Sequence, residues 1–313
     1  MRLLSYQTNF QFTRYARSAT VVSLVLIALS VTSLVTGNLS FGIDFTGGVV
    51  VDARYPQAVK LDAVRSAIEK GGYQHASVTH FGSAQAVSIR LPPQPKQDKT
   101  KLGDQMLKTL AAGPEGASIQ RVQVVGPQVG QNLLSKGGLA FLYTVIAILI
   151  YVIFRFHWKL ALGAVAALIH DIVITLGVFS VTSMEFNLTV LAAILAVLGY
   201  SLNDTIVVFD RVRENFRRMR KATPVEVINT SINQTLARTI VTAGTTLLTL
   251  FALFFLGGQI IHGFAAALLV GVGIGTYSSI FVASVLALWL KLTSYDLFPP
   301  KEEDAERDAR PTE

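Results

Sequence analysis

The chain has no cysteine, and only 15% of its 313 residues are charged. The first absence excludes disulfides, thiol nucleophiles and thiolate metal sites. The second excludes an ordinary water-facing surface, because a soluble chain of this size carries about 25% charged residues. Two further things are missing. No nucleophile stands beside a base, and no His/Asp/Glu cluster has metal-ligand spacing, so neither an enzyme nor a bound cofactor is expected. The net charge is +7, yet no nucleic-acid-binding module accompanies it, and nucleic acid is not an expected partner.

What is present is hydrocarbon. Half of the chain, 51%, is hydrophobic, and six stretches approach or exceed the roughly 20 apolar residues that cross a bilayer. They are residues 18–36, 137–154, 160–182, 186–209, 239–256 and 263–290. The expected fold is therefore a polytopic α-helical membrane protein with six transmembrane helices. Residues 1–17 precede the first helix, which reads as an uncleaved signal anchor: its run is nearly bilayer-long, and "LVTGNLSFG" offers no small-x-small cleavage site. Basic residues occur before that helix, in "FRFHWK" and after Phe209, whereas "VTSMEFN" and "GGQIIHG" contain no Lys or Arg. The positive-inside rule then puts both termini, including the charged tail 291–313, in the cytoplasm of a multi-pass inner-membrane protein.

Residues 37–136 must lie outside the cytoplasm. "VVVDARYP" alternates like a strand, and "DAVRSAIEKGGY" has helical spacing that stops at Gly71-Gly72. "HASVTHFG", "AVSIRLP" and "ASIQRVQVV" read as strands, with a second helix over 101–112. The order βαββαβ predicts a ferredoxin-like α+β domain between the first and second spans. His75 and His80 read as ordinary strand histidines. Two Gly-rich joints, "FGIDFTGG" and "VGPQVG", connect this domain to the membrane. Gly47, Gly48, Gly126 and Pro127 in them are either tight turns or a pair of hinges.

Residues 210–238 read as a cytoplasmic amphipathic loop that begins with a basic helix on the anionic lipid surface, with Phe209, Val212, Phe216 and Met219 at helical spacing beneath the arginines. "TPVE" looks like a helix start, with Thr223 as cap and Glu226 closing a capping box. The sixth span repeats a small residue every fourth position, from Gly263 through Ala267, Gly271, Gly275, Ser279 and Ala283 to Ala287. Such a ridge permits close helix approach. A four-residue step drifts against the 3.6-residue period, so the ridge should wind around its helix.

Ionisable groups inside spans are the sharpest signal, because a centrally placed Asp costs about 3 kcal/mol on insertion scales. Asp204 lies near the cytoplasmic end of the fourth span beside Asn203. Asp171 follows His170 in the third, with Thr175 one turn on. The fifth span opens at Arg238, with Thr242, Thr245 and Thr249 on one face, so antiparallel neighbours could bring Arg238 to Asp204. From spacing alone, Asp204 could be an ion-pair partner, a proton carrier, or an interfacial acid reaching for water.

"FGIDFTGG", "VGPQVG", the "HD" of the third span, "GYSLNDTIVVFDRVRENFR" and "QTLARTIVTAGTT" together resemble the SecD/SecF family of bacterial protein-export membrane proteins, within the resistance-nodulation-division superfamily. The resemblance runs from about residue 41 to 290. It implies a complex with the homologous SecD beside the SecYEG channel, action on a translocating polypeptide, and a proton path at the interface of two six-span halves. The family's Asp of the fourth span falls on Asp204 and its Arg at the head of the fifth on Arg238. "HD" brings in Asp171, and Asn203, Thr242 and Thr245 are the supporting polar residues. The expectation is a proton-motive-force-driven accessory of the Sec translocase. The alternatives are a half-transporter for small molecules or lipids and a purely structural scaffold.

Overall fold

The computed structural model describes residues 8–37, 39–73, 76–81, 83–92, 105–106, 108–110 and 116–298. Among the described residues, six helices are long and apolar enough to cross a membrane: Phe12–Val35, Pro127–Arg155, Trp158–Thr182, Leu188–Arg218, Pro224–Leu256 and Ile260–Trp289. Several run well past the apolar stretches that announce them, because hydropathy marks the buried length while capping decides where a helix ends. The fourth and fifth continue through the basic region. Residues 210–238 are helical, as expected, on both sides of a short turn at residues 219–223, but as continuations of the two spans rather than as a helix lying on the lipid surface. The apolar stripe does not face lipid: Phe209, Val212 and Phe216 are buried in the protein. Asn215 between them donates to Ser231 Oγ and Gln234 Oε1, both at 2.9 Å. Thr223 caps the fifth helix as its sequence predicts, and Glu226 returns a bond to the Thr223 N–H at 2.8 Å.

The chain divides into two compact units. One comprises Met1–Leu39, Leu142–Met184 and Ala192–Glu313; the other comprises Ser40–Phe141 and Glu185–Leu191. The second unit contains the predicted sandwich. Strands β1 (Ser40–Phe41), β2 (Gly48–Arg54), β3 (Ser77–Phe81), β4 (Ser83–Leu91) and β5 (Ser118–Val125) are joined by β6 (Glu185–Phe186). Four of them make an antiparallel sheet in the order β3-β4-β2-β5, the ferredoxin-like arrangement. The alternation expected of β2 is not seen in its burial, because Gly48–Ala53 is buried on both faces; on the core side Val49, Val51 and Ala53 pack with Val87, Ile89 and Leu91 of β4. Helix Leu61–Lys70 covers them with Val64 and Ile68, and Met106 and Leu110 complete the core. Each such fully buried side chain contributes about 1.5–3 kcal/mol. Most of the second expected helix, 101–112, lies outside the described residues, as does His75; residues 105–106 and 108–110 are helical. His80 is exposed on β3.

The joints are less free than their glycines suggest. Gly126-Pro127 is the beginning of the second span itself, where Pro is well tolerated because its missing N–H has no partner in a first turn. Gly47, at φ 71° and ψ 169°, occupies a region open essentially to glycine alone. A Cβ there would lie 2.9 Å from Pro127 Cα, and one at Gly130 would lie 2.8 Å from Gly47 N. The two joints therefore pack backbone to backbone inside one compact unit, together with the segment between the third and fourth spans. That segment supplies β6, parallel to β1, and Phe186, which stacks on Phe45 at 5.8 Å. Glu185 pairs with Arg90 at 2.5 Å, and Asp44 accepts bonds from Gln123 Nε2 and from the Leu188 N–H, both at 3.1 Å.

Candidate functional site

The first unit gathers its polar groups around two carboxylates. Asp204, half-buried on the fourth span, accepts bonds from Thr239 Oγ1 on the fifth and Ser279 Oγ on the sixth, both at 2.6 Å. The sequence reading missed both donors. A Thr one residue beyond an Arg and a Ser inside a small-residue ridge each look like packing residues until the helices are rotated into place.

Asp171 on the third span is fully buried. Its Oδ2 accepts from Ser201 Oγ at 2.5 Å and from Ser278 Oγ at 2.8 Å. Its Oδ1 lies 2.9 Å from Nδ1 of the preceding His170. His170 Nε2 is 3.2 Å from Ser23 Oγ of the first span, which is 3.1 Å from Tyr277 Oη. Tyr277 Oη donates to the Ala19 carbonyl at 2.7 Å. Four helices thus enclose the Asp171 carboxylate and its histidine, as a buried charge requires. Thr175, one turn on, is also buried, but its hydroxyl has no hydrogen-bond partner among the described residues.

The sixth span makes this possible by changing its pitch. Ser279–Ala283 is a π turn, a wider winding often found at functional sites. The ridge is buried from Ala267 to Ala287, and within Ser279–Ala283 the wider winding offsets the drift of its four-residue repeat. A Cβ at Gly271 would strike Val197, and one at Gly163 would lie 2.6 Å from the Ala283 carbonyl. Gly275 sits against Ser201 and Asp171. Adjacent serines at the turn consequently reach different carboxylates, Ser278 to Asp171 and Ser279 to Asp204.

The predicted pairing of Asp204 with Arg238 is not formed. Arg238 is exposed and has no ion pair within 4.0 Å among the described residues. Rotation explains the difference: Thr239 is the residue that turns inward, which leaves Arg238 about 100° around the helix. Asn203, Thr242 and Thr245 are exposed too, and the hydrogen bonds to the carboxylate among the described residues come from Thr239 and Ser279 instead. Thr245 and Thr249 bond carbonyls of their own helix. The fifth span is sparsely covered, far less buried than the third. Its polar stripe therefore points off the bundle.

These features define a class: a polytopic α-helical membrane protein with carboxylates inside its bundle and an α+β domain inserted after its first span. Residues 105–293 match the family described as protein export membrane protein SecD/SecF, C-terminal. The chain is 48% identical to the protein translocase subunit SecF of Vibrio alginolyticus over 99% of both chains. It is 49% identical to that of Pseudomonas aeruginosa over 93% of this chain and 94% of the relative. The crystal structure of SecDF from Thermus thermophilus superposes at TM-score 0.83 with 37% identity, covering 93% of this chain and 40% of that one. A SecDF structure in a super-membrane-facing form gives 0.68 with 35% identity, covering 99% of this chain and 41% of that one. The chain belongs to the SecD/SecF family of protein export membrane proteins.

Proposed function

We propose that this subunit couples proton movement through Asp204 to a late step of Sec-dependent protein export. The observation that carries the reading is a half-buried carboxylate in the bundle, held by two hydroxyls and, among the described residues, by no cation. Hydroxyls solvate the ionised form and can equally accept from the protonated one, so the site tolerates both states. One proton crossing 100 mV yields about 2.3 kcal/mol, enough to bias a two-state equilibrium. Asp171 is the second member of the relay. Arg238, Asn203, Thr242 and Thr245 form the surface that a SecD partner covers. SecDF supports this reading, since the part resembling this chain is 40% of a longer chain.

In this account both termini lie in the cytoplasm, and the sandwich lies outside the inner membrane, where it meets polypeptide leaving SecYEG. The domain moves together with its base, because Gly47, Gly48, Gly126 and Pro127 are packed within one unit. The test is export into inverted vesicles with and without an imposed proton gradient. Asp204→Asn should insert and bind SecD normally yet lose all stimulation by the gradient. Unchanged stimulation would remove the relay role and leave a structural scaffold for SecD.

A further inference from the structure

The hydrogen-bond chain around His170 can be counted proton by proton. Tyr277 Oη spends its single proton on the Ala19 carbonyl, which has none to give. The 3.1 Å contact between Tyr277 Oη and Ser23 Oγ therefore uses the serine proton. Ser23 then has only lone pairs left for His170 Nε2 at 3.2 Å, so Nε2 carries hydrogen. On the other side of the ring, Nδ1 and Asp171 Oδ1 stand 2.9 Å apart. Two lone pairs at that distance repel, so one more proton lies between them. Whether it resides on nitrogen or oxygen, the pair is electrically neutral: imidazolium against carboxylate, or imidazole against carboxylic acid. Neutrality is what a fully enclosed site demands, because an isolated buried charge is costly.

Each π-turn serine also has two acceptors for one proton. Ser278 Oγ reaches Asp171 Oδ2 at 2.8 Å and the Gly275 carbonyl at 3.1 Å. Ser279 Oγ reaches Asp204 Oδ2 at 2.6 Å and the Thr276 carbonyl at 3.0 Å. When the carboxylate is ionised, the serine donates to it. When the carboxylate is protonated, the acid donates to the serine, and the serine hydroxyl turns to its own helix carbonyl. Neither serine loses its proton. Since the two residues are consecutive, a change at one carboxylate alters the backbone hydrogen bonds that hold the other.

We propose that His170 and Asp171 form a second proton site, holding one proton between them, and that Ser278 and Ser279 link its state to that of Asp204. The link rests on the proton-driven reading of Asp204; the shared proton does not. Tyr277, which stacks on His170 at 6.0 Å, is the titratable group facing the pair from the sixth span. Among the described residues, the first and fourth spans present hydroxyls and a carbonyl to it: Ser23, Ser201 and the Ala19 carbonyl. Asp204 has Tyr200 of its own span as a titratable neighbour, and the fifth and sixth spans face it with Thr239 and Ser279.

The full chain with its SecD partner in lipid nanodiscs, labelled with ¹⁵N-histidine, tests the first half. His170 is assigned by the loss of its signals in His170→Gln. The Nε2 shift should be that of a protonated nitrogen; an unprotonated Nε2 overturns the site. Infrared titration of the Asp204 carboxyl tests the second half. Asp171→Asn should displace its midpoint, and that displacement should vanish when Ser278→Ala and Ser279→Ala are combined. Ser279→Thr, which keeps a hydroxyl, should retain it. A displacement that survives the double alanine variant overturns the link. An Asp204 that never titrates removes the proton-driven reading and the link together, while the nitrogen spectrum still decides the dyad.

Discussion

At the scale of single residues, Asp204 was legible from its setting, an acid within an apolar run, whereas its partners were not. Thr239 and Ser279 lie 35 and 75 residues away, and nothing local sets them apart from neighbouring hydroxyls. Arg238 was legible as a charge and misjudged as a contact. Being exposed, it should be dispensable for folding: Arg238→Leu should change stability by no more than about 0.5 kcal/mol but reduce gradient-driven export. Arg238→Lys should recover part of that loss, since it keeps the charge and loses the planar fork. Full activity in the leucine variant would make Arg238 merely a basic residue at the interface. Outside the spans, the hydrogen bond from Lys159 at 2.6 Å, helped by Thr293, draws the Asp296 carboxyl down to about 2 from its ordinary 3.8. A depressed carboxylate stabilises above its ordinary value, and that contribution fades as pH falls from about 4 toward 2. Hydrogen exchange in the short helix Ser294–Leu297 should accelerate over that interval, beyond the intrinsic pH trend. Asp296→Asn should abolish the extra change.

At the scale of elements, local signals were reliable where chemistry is local. The capping box at Thr223 reads directly from "TPVE", and Thr223→Ala should cost about 1 kcal/mol, measurable as a lower thermal midpoint. The π turn was invisible, because a small residue at every fourth position is as compatible with a winding ridge as with a change of pitch. What selects the turn is packing on the third and fourth spans at Gly163, Gly271 and Gly275, with Ser284 Oγ donating to the Ser279 carbonyl at 3.0 Å. The joints show a similar division. Their glycines forecast unusual backbone angles but not that the two joints would lie against each other. Gly47→Ala combines a glycine-only conformation with a close approach to Pro127, and should destabilise the sandwich unit by about 1–3 kcal/mol. Limited proteolysis of that unit should register the change. Equal protease resistance would show that the backbone there relaxes.

At the scale of the whole molecule, the bundle leaves polar groups uncovered. Asn203, Arg238, Thr242 and Thr245 are exposed on spans that hydrocarbon would otherwise surround. Ionisable groups facing lipid cost several kcal/mol, so the chain expressed alone should accumulate poorly or self-associate. Co-expression with SecD should restore it. Cysteine is absent, so single cysteines placed at Asn203 or Thr242 are unique crosslinking handles. They should join to the SecD bundle when both proteins are present. A stable monomer that conducts protons without SecD would point to a self-contained transporter.

The sequence by itself determined that six helices cross a membrane and that a βαββαβ sandwich follows the first. It also determined that Asp171 and Asp204 sit where charge is costly. Hydropathic length, period and capping are properties of neighbouring residues, so they can be read from the chain in order. Only the tertiary structure decided which hydroxyl meets which carboxylate, that Thr239 rather than Arg238 faces inward, and that the two joints are packed together. Those outcomes depend on how each helix is rotated about its axis and where the sixth changes pitch. Both are set by contacts among residues far apart in the chain, where a turn of one position moves a side chain by about 100°.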